Sequence, residues 1–357
     1  MMNLRETLGQ RLEVAFGRRT GAWPPPRLSL ALQGGGSFGA FTWGVLDRLL
    51  ESGDVDFDTV SGTSAGAFNA VLLADGLAAG GRDAAREKLA HFWERLSRTA
   101  AFGPFGSSAH FAPGGAAGAI SLWTRLLSPY QFNPLDLNPL RTMLNEEVDF
   151  ERLRFSSPIG LLIAATRVVD GRARMFSNAE INADVVLASA CLPLYSHAVT
   201  IDNVAYWDGG YSANPPLLDL VAVSRALDLL IVQITPALST ETPTSAQEIM
   251  RRLDQITFNS SLQAELASLA RRTDRSRQLS GLLSSEGRKL RRLAIHHISA
   301  EEEFAGLSDA SANNLDWSFL TTLRDHGRAA ANTWLVGKAA AREEPRAIAP
   351  LKAAMTI

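Results

Sequence analysis

The stretch Arg27-Leu28-Ser29-Leu30-Ala31-Leu32-Gln33-Gly34-Gly35-Gly36-Ser37-Phe38-Gly39 carries the first decision about the fold. Arg27 to Leu32 alternates and then turns apolar, as a strand entering a core does. Glycines take over, and from Ala40 to Leu50 the residues Phe41, Val45, Leu46, Leu49 and Leu50 recur at helical spacing. The pattern then repeats. Phe57 to Val60 reads as a second strand, Ser61-Gly62-Thr63-Ser64-Ala65-Gly66 as its loop, and a helix follows from Ala67. Further strands are expected at Ile159–Val169, Leu229–Ile234 and Leu293–Ile298, with helical patterns between them that include Ser212–Leu227 and Ser245–Leu283. Strands alternating with helices predict an α/β fold, a mostly parallel central sheet with helices on both faces. Adjacent parallel strands would deliver both glycine-bearing loops to one carboxyl edge, where sheets of this class hold their sites.

Composition narrows the class. The 357 residues are 46% apolar and 20% charged with a net charge of −2, which fits a globular chain with no overall pull toward nucleic acid. A single cysteine, Cys191, leaves no internal disulfide framework and no cysteine-rich metal site, and it favours a reducing compartment. No apolar run approaches the ~20 residues of a membrane-spanning helix, and residues 1–26 lack the apolar segment of a signal peptide. A cytoplasmic protein, peripheral at a membrane at most, is expected. Leu4, Leu8, Leu12 and Phe16 predict an N-terminal amphipathic helix, ended by Pro24, Pro25 and Pro26. Residues 27–340 then form one domain, followed by a tail over residues 341–357.

Two loops carry the chemistry. Gly34 to Gly39 matches G-x-G-x-x-G between a strand and a helix, where backbone N–H groups converge on an anion. The guest is either a pyrophosphate or the oxyanion of an acyl intermediate. A dinucleotide site needs an acid at the end of the second strand, and Gly62-Thr63-Ser64-Ala65-Gly66 stands there instead. That sequence is the G-x-S-x-G pattern of a nucleophile elbow. Serine needs a base. His91, His110, His197, His296, His297 and His326 sit in no motif, and the adjacent His296 and His297 suit structural roles on a strand. Asp208, in Tyr206-Trp207-Asp208-Gly209-Gly210, is the sharper candidate, since burial beside aromatics raises a carboxyl pKa toward the range of a base. A plain Asp-Gly-Gly turn is the competing reading.

Taken together, Gln33 to Gly39, Gly62 to Gly66 and Asp208 to Gly210 resemble the patatin-like phospholipase family in order, spacing and placement. Ser128 to Leu135, Ala188 to Pro193, Leu315 to Leu320 and Gly327 to Leu335 are similar to a bacterial branch of it. The resemblance implies a three-layer fold and a lipid acyl hydrolase that uses a Ser-Asp dyad without histidine, metal or cofactor. It makes Ser64 the nucleophile and Asp208 the base, with Gly35, Gly36 and Ala65 supplying oxyanion N–H groups. Gly34, Gly39, Gly62, Gly66, Gly209 and Gly210 complete the motifs. The implied partner is a lipid ester and not a nucleic acid; an acyltransferase with the same dyad and a silent lipid-binding protein stay open as alternatives. The family's glycine motif commonly begins with Asp and carries Arg, where this chain has Gln33 and Phe38.

A lipid hydrolase meets an interface. Between residues 251 and 292, Arg251, Arg252, Arg271, Arg272, Arg275, Arg277, Arg288, Lys289, Arg291 and Arg292 face only Asp254, Glu265, Asp274 and Glu286. This basic stretch and the N-terminal helix are the two expected membrane contacts, set against a solvated helix face. Phe102, Phe105, Phe111, Leu122 and Trp123, in or just past the glycine-rich break at Ala101–Ala117, suggest a lid.

Overall fold

The computed structural model describes residues 23–102, 128–136, 138–239, 242–278, 284–300 and 312–340. The N-terminal helix, the lid segment beyond Phe102 and the tail from residue 341 lie outside them. The first half of the chain forms β1 (Arg27–Leu32), α1 (Gly39–Ser52), β2 (Asp56–Gly62), α2 (Ala65–Phe102), α3 (Pro129–Phe132), α4 (Pro139–Glu147) and α5 (Phe150–Ser156). There follow β3 (Gly160–Arg167), β4 (Ala173–Ser177), α6 (Ala183–Ser189), β5 (Val199–Ile201), β6 (Val204–Asp208) and α7 (Leu217–Val223). The last elements are β7 (Asp228–Gln233), α8 (Ala246–Gln278), α9 (Ser285–Arg292), β8 (Ala294–Ser299) and α10 (Trp317–Ala340).

These strands make one eight-stranded sheet in the order β5-β6-β3-β2-β1-β7-β8, with β4 also paired to β3. The run β3-β2-β1-β7-β8 is parallel, and the pairings of β4, β5 and β6 are antiparallel. All five strands expected from sequence are present. Strand β7 explains the layering: its residues are buried throughout, and alternate ones enter different cores. Leu230 and Val232 join the larger core with α1, α2 and α10, while Leu229 and Ile231 join a second core with Leu217 and Leu220 of α7 and Leu262, Leu266 and Leu269 of α8.

One expected helix shrinks. The pattern over Ser212–Leu227 predicts a long helix, but α7 spans only Leu217–Val223. Pro215 and Pro216 delay its start, since each pushes the residue before it out of the helical region, and the extended Ser224 ends it.

The register at β3 sets up the site. Leu162 and Ile163 pair with β2 and β4 at once, while Ala165 and Thr166 pair with β4 and β6 at once. β2 and β6 therefore share one edge of β3, end to end. Gly62 is opposite Ile163 and Asp208 is opposite Ala165, so Asp208 fills the slot just beyond the end of β2.

Candidate active site

Thr63 and Ser64 make the whole turn between β2 and α2. Ser64 adopts φ +53°, a left-handed conformation that costs a side-chain-bearing residue ~1–3 kcal/mol. Its neighbours hold it there. Thr63 N donates to Leu32 O at 3.3 Å and Thr63 Oγ1 to Ala213 O at 2.7 Å. Ser64 N donates to the buried Ser189 Oγ at 2.9 Å. A β-carbon on Gly66 would stand 2.1 Å from Leu32 O, so the spacing of the motif is steric in origin. Ser64 is 8% exposed and begins at the positive end of α2.

The glycine loop leaves β1 beside this turn, because Leu32 pairs with Gly62. Contact between the loops is direct: a β-carbon on Gly34 would lie 2.7 Å from Ser64 Cβ, and one on Gly39 would lie 2.7 Å from Ala65 Cβ. Gly34 N donates to Asn214 Oδ1 at 2.7 Å. Gly36 has φ +59°. Among the described residues none accepts the N–H of Gly35, Gly36 or Ala65. Gln33 is fully buried, its carbonyl accepting from Ile234 N at 2.9 Å and Thr235 N at 2.8 Å and its amide donating to Asn259 Oδ1 at 3.0 Å. A carboxylate could not donate to Asn259, so the neutral side chain suits its neighbours. Phe38, in place of a cation, packs against the larger core.

Asp208 ends β6 with no exposed surface. Its Oδ1 accepts from Gly210 N at 2.7 Å, its N donates to Cys191 O at 2.8 Å, and its O accepts from Thr166 Oγ1 at 2.7 Å. Oδ2 has no hydrogen-bond partner. Burial pushes this carboxyl up to about 7, against the opposing influence of the Gly210 N–H and the Ser64 hydroxyl. The Ser64 hydroxyl is close enough to act on the carboxyl, although no hydrogen bond of ordinary geometry joins them. Gly209 and Gly210 form the turn that follows, and Phe258 of α8 lies against Gly210.

Four histidines are engaged elsewhere: His91 with Glu147, His197 with Pro129 O, His296 with Asp228 and His297 with Gln233. Burial lowers His297 to about 4, which keeps it neutral at ordinary pH. A surface hollow of about 430 Å³ includes Lys88, Glu147 and Arg152 but none of the residues around Ser64. Two of its three cations, Lys88 and Arg152, are spent on the buried Asp75, and Arg154 donates to Ile181 O, so it is a seam of internal contacts. Among the described residues, no group of three or more His, Cys, Asp and Glu is placed to hold a metal ion, and no helix is long and apolar enough to cross a membrane. Several of the basic residues on α8 and α9 are engaged within the fold: Arg252 with Ala237 O, Arg272 with Glu286, and Lys289 with the carbonyls of Val221 and Ser224. Ser189 and Asn214 escaped the reading of motifs. Ser189 lies within the family-like stretch Ala188 to Pro193 and Asn214 just before two prolines, and neither place marks a role.

The profile of the patatin-like phospholipase family matches residues 30–221, a segment that contains both loops and Asp208. The chain belongs to this family. Against the Escherichia coli (strain K12) protein YjjU, this patatin-like chain is 26% identical over 273 residues, which are 72% of the chain and 65% of YjjU. The crystal structure of VipD from Legionella pneumophila aligns with a TM-score of 0.41 at 16% identity, covering 88% of this chain and 67% of VipD. Full-length ExoU of Pseudomonas aeruginosa, solved with SpcU, aligns at a TM-score of 0.29 and 15% identity, covering 86% and 76%.

Proposed function

We propose that this protein is a serine acyl hydrolase that cleaves ester-linked fatty acyl chains of lipids through an acyl-enzyme on Ser64. Family membership supplies the substrate class. The observation that supports the chemistry is the juxtaposition around Ser64: a buried carboxyl of pKa about 7 with one unpartnered oxygen on one side, and a loop of unclaimed N–H groups on the other.

In this reading Asp208 takes the hydroxyl proton of Ser64 as Oγ bonds to the ester carbonyl carbon. The carbonyl π electrons move onto oxygen, where the N–H groups of Gly35, Gly36 and Ala65 and the positive end of α2 stabilise the charge. Collapse breaks the ester C–O bond, and the leaving alkoxide takes the proton back from Asp208. Water then repeats the sequence on the acyl-enzyme, again giving its proton to Asp208, and frees the fatty acid and Ser64. A base of pKa near 7 balances ionisation against proton affinity at neutral pH.

A fluorophosphonate probe followed by mapping of the modified residue tests this reading. Label on Ser64, with hydrolysis lost in Ser64→Ala and in Asp208→Asn while both fold, is the expected result. A folded Ser64→Ala protein that still hydrolyses esters overturns it.

A further inference from the structure

We infer that Asn214 and Ser189 are positioning residues for the oxyanion site, each tethering the N–H that immediately precedes the donors on its own loop. The inference rests on the acyl-hydrolase reading given above. Gly34 precedes Gly35 and Gly36, and Gly34 N donates to Asn214 Oδ1 at 2.7 Å. Ser64 precedes Ala65, and Ser64 N donates to Ser189 Oγ at 2.9 Å. Both acceptor side chains are fully buried.

The mechanics follow from the rigidity of the peptide plane. Fixing one N–H fixes its plane, and only one φ/ψ pair then separates it from the next N–H. At Gly34 that pair is the freest the chain has, because no β-carbon restricts it, so an unanchored loop could swing its donors away. At Ser64 the pair is held in the left-handed region. The Ser189 bond offsets part of that strain, and losing it would leave a buried donor unsatisfied. Both tethers also withhold N–H groups from the site, leaving Gly35, Gly36 and Ala65 to face the developing charge.

The tethers come from the two segments that fix the carboxyl. Ser189 closes α6, and Cys191, just after it, accepts from Asp208 N. Asn214 follows the Asp208 turn, where its Nδ2 donates to Phe258 O at 3.1 Å and its N donates to Ser261 Oγ at 3.0 Å, both on α8. The same two segments therefore set base and donors together.

The test compares Ser189→Ala, Asn214→Ala and Ser261→Ala. The last removes only the bond from Asn214 N and leaves the Asn214 side chain bonded to Gly34 N and to Phe258 O. Each is measured for kcat and KM on a soluble ester, for melting temperature, and for affinity to an alkyl trifluoromethyl ketone, whose hemiketal oxygen occupies the oxyanion position. Ser189→Ala and Asn214→Ala are expected to lose ~10–10²-fold in kcat with KM within about twofold, and ketone affinity is expected to fall by the same factor. Ser261→Ala is expected to melt lower yet keep its kcat. A twofold or smaller change in kcat for Ser189→Ala, or a larger loss with ketone affinity unchanged, overturns the inference. Ser189→Ala removes one atom and decides the question alone if Asn214→Ala does not fold. Ser64→Ala separates the two readings: if it stays active, the acyl-hydrolase reading falls. If it is inactive while Ser189→Ala behaves as wild type, only the positioning role falls.

Discussion

At the scale of the residue, Asp208 is the group for which, under the proposed mechanism, stability and activity pull in opposite directions. Its pKa lies at about 7 in the folded protein against 3.8 for the free side chain, and burial is the cause. Below pH ~4 the carboxyl is protonated in folded and unfolded chains alike and costs nothing. Between that pH and 7 the unfolded chain ionises while the fold does not, so stability drains away as pH rises and levels off above the folded pKa. Asp208→Asn removes this liability, because an amide oxygen can still accept from Gly210 N. The variant is therefore expected to melt higher than wild type at pH 8. The gain is the equivalent of a few kcal/mol, since each tenfold difference in proton affinity between fold and unfolded chain is worth ~1.4 kcal/mol. The gap should close toward pH 4, and paired melting curves across this range check it. The wild-type kcat/KM should rise with pH through about 7, mirroring the stability that is lost.

At the scale of the element, α1 carries the glycine loop and α10 backs it. The two helices touch at a pair of glycines: a β-carbon on Gly44 would stand 1.9 Å from Arg324 O, and one on Gly327 would stand 2.0 Å from Phe41 O. Overpacking of this kind costs ~1–3 kcal/mol, so Gly44→Ala and Gly327→Ala should each lower the melting temperature by several degrees. An unchanged melt in either would mean that the crossing has slack. The parallel elements were the legible part of this fold. β1, β3 and β7 announce themselves because both faces are buried and apolar runs result; β2 and β8 show more weakly, with Asp58 and Thr59 inside one and His296 and His297 inside the other. The antiparallel strands β4, β5 and β6 are partly exposed and only three to five residues long, and the apolar run Val204 to Trp207 is short. Ser64 and Asp208 could be picked out because their glycines leave a pattern in sequence. Asn214 and Ser189 could not, since a hydrogen bond from a distant backbone N–H imposes no local spacing.

At the scale of the molecule, the site is a junction of three chain segments far apart in sequence, held by backbone donors, a carboxyl and a helix end. In the proposed mechanism charge at the reacting oxygen is met by oriented N–H groups, and the described residues offer no three-ligand cluster for a cation to join. Ester hydrolysis should therefore continue unchanged in excess EDTA. Loss of activity on chelation, restored by calcium or zinc, would count against backbone donors as the source of oxyanion stabilisation.

The contact between the glycine loop and the serine turn bears on how such a site can be re-engineered. Position 39 abuts position 65 with room for a single β-carbon between them, while position 34 is closed by both Ser64 Cβ and the Thr63 carbonyl oxygen. A library that varies one loop at a time should return glycine at positions 34 and 39 whatever the selection. New solutions would be reached in pairs, for example Gly39→Ala with Ala65→Gly, where the lost methyl vacates the volume that the gained one fills, and the Trp93 ring beside Gly39 gives by a few tenths of an ångström. The two loops are, in that sense, a single mutational unit.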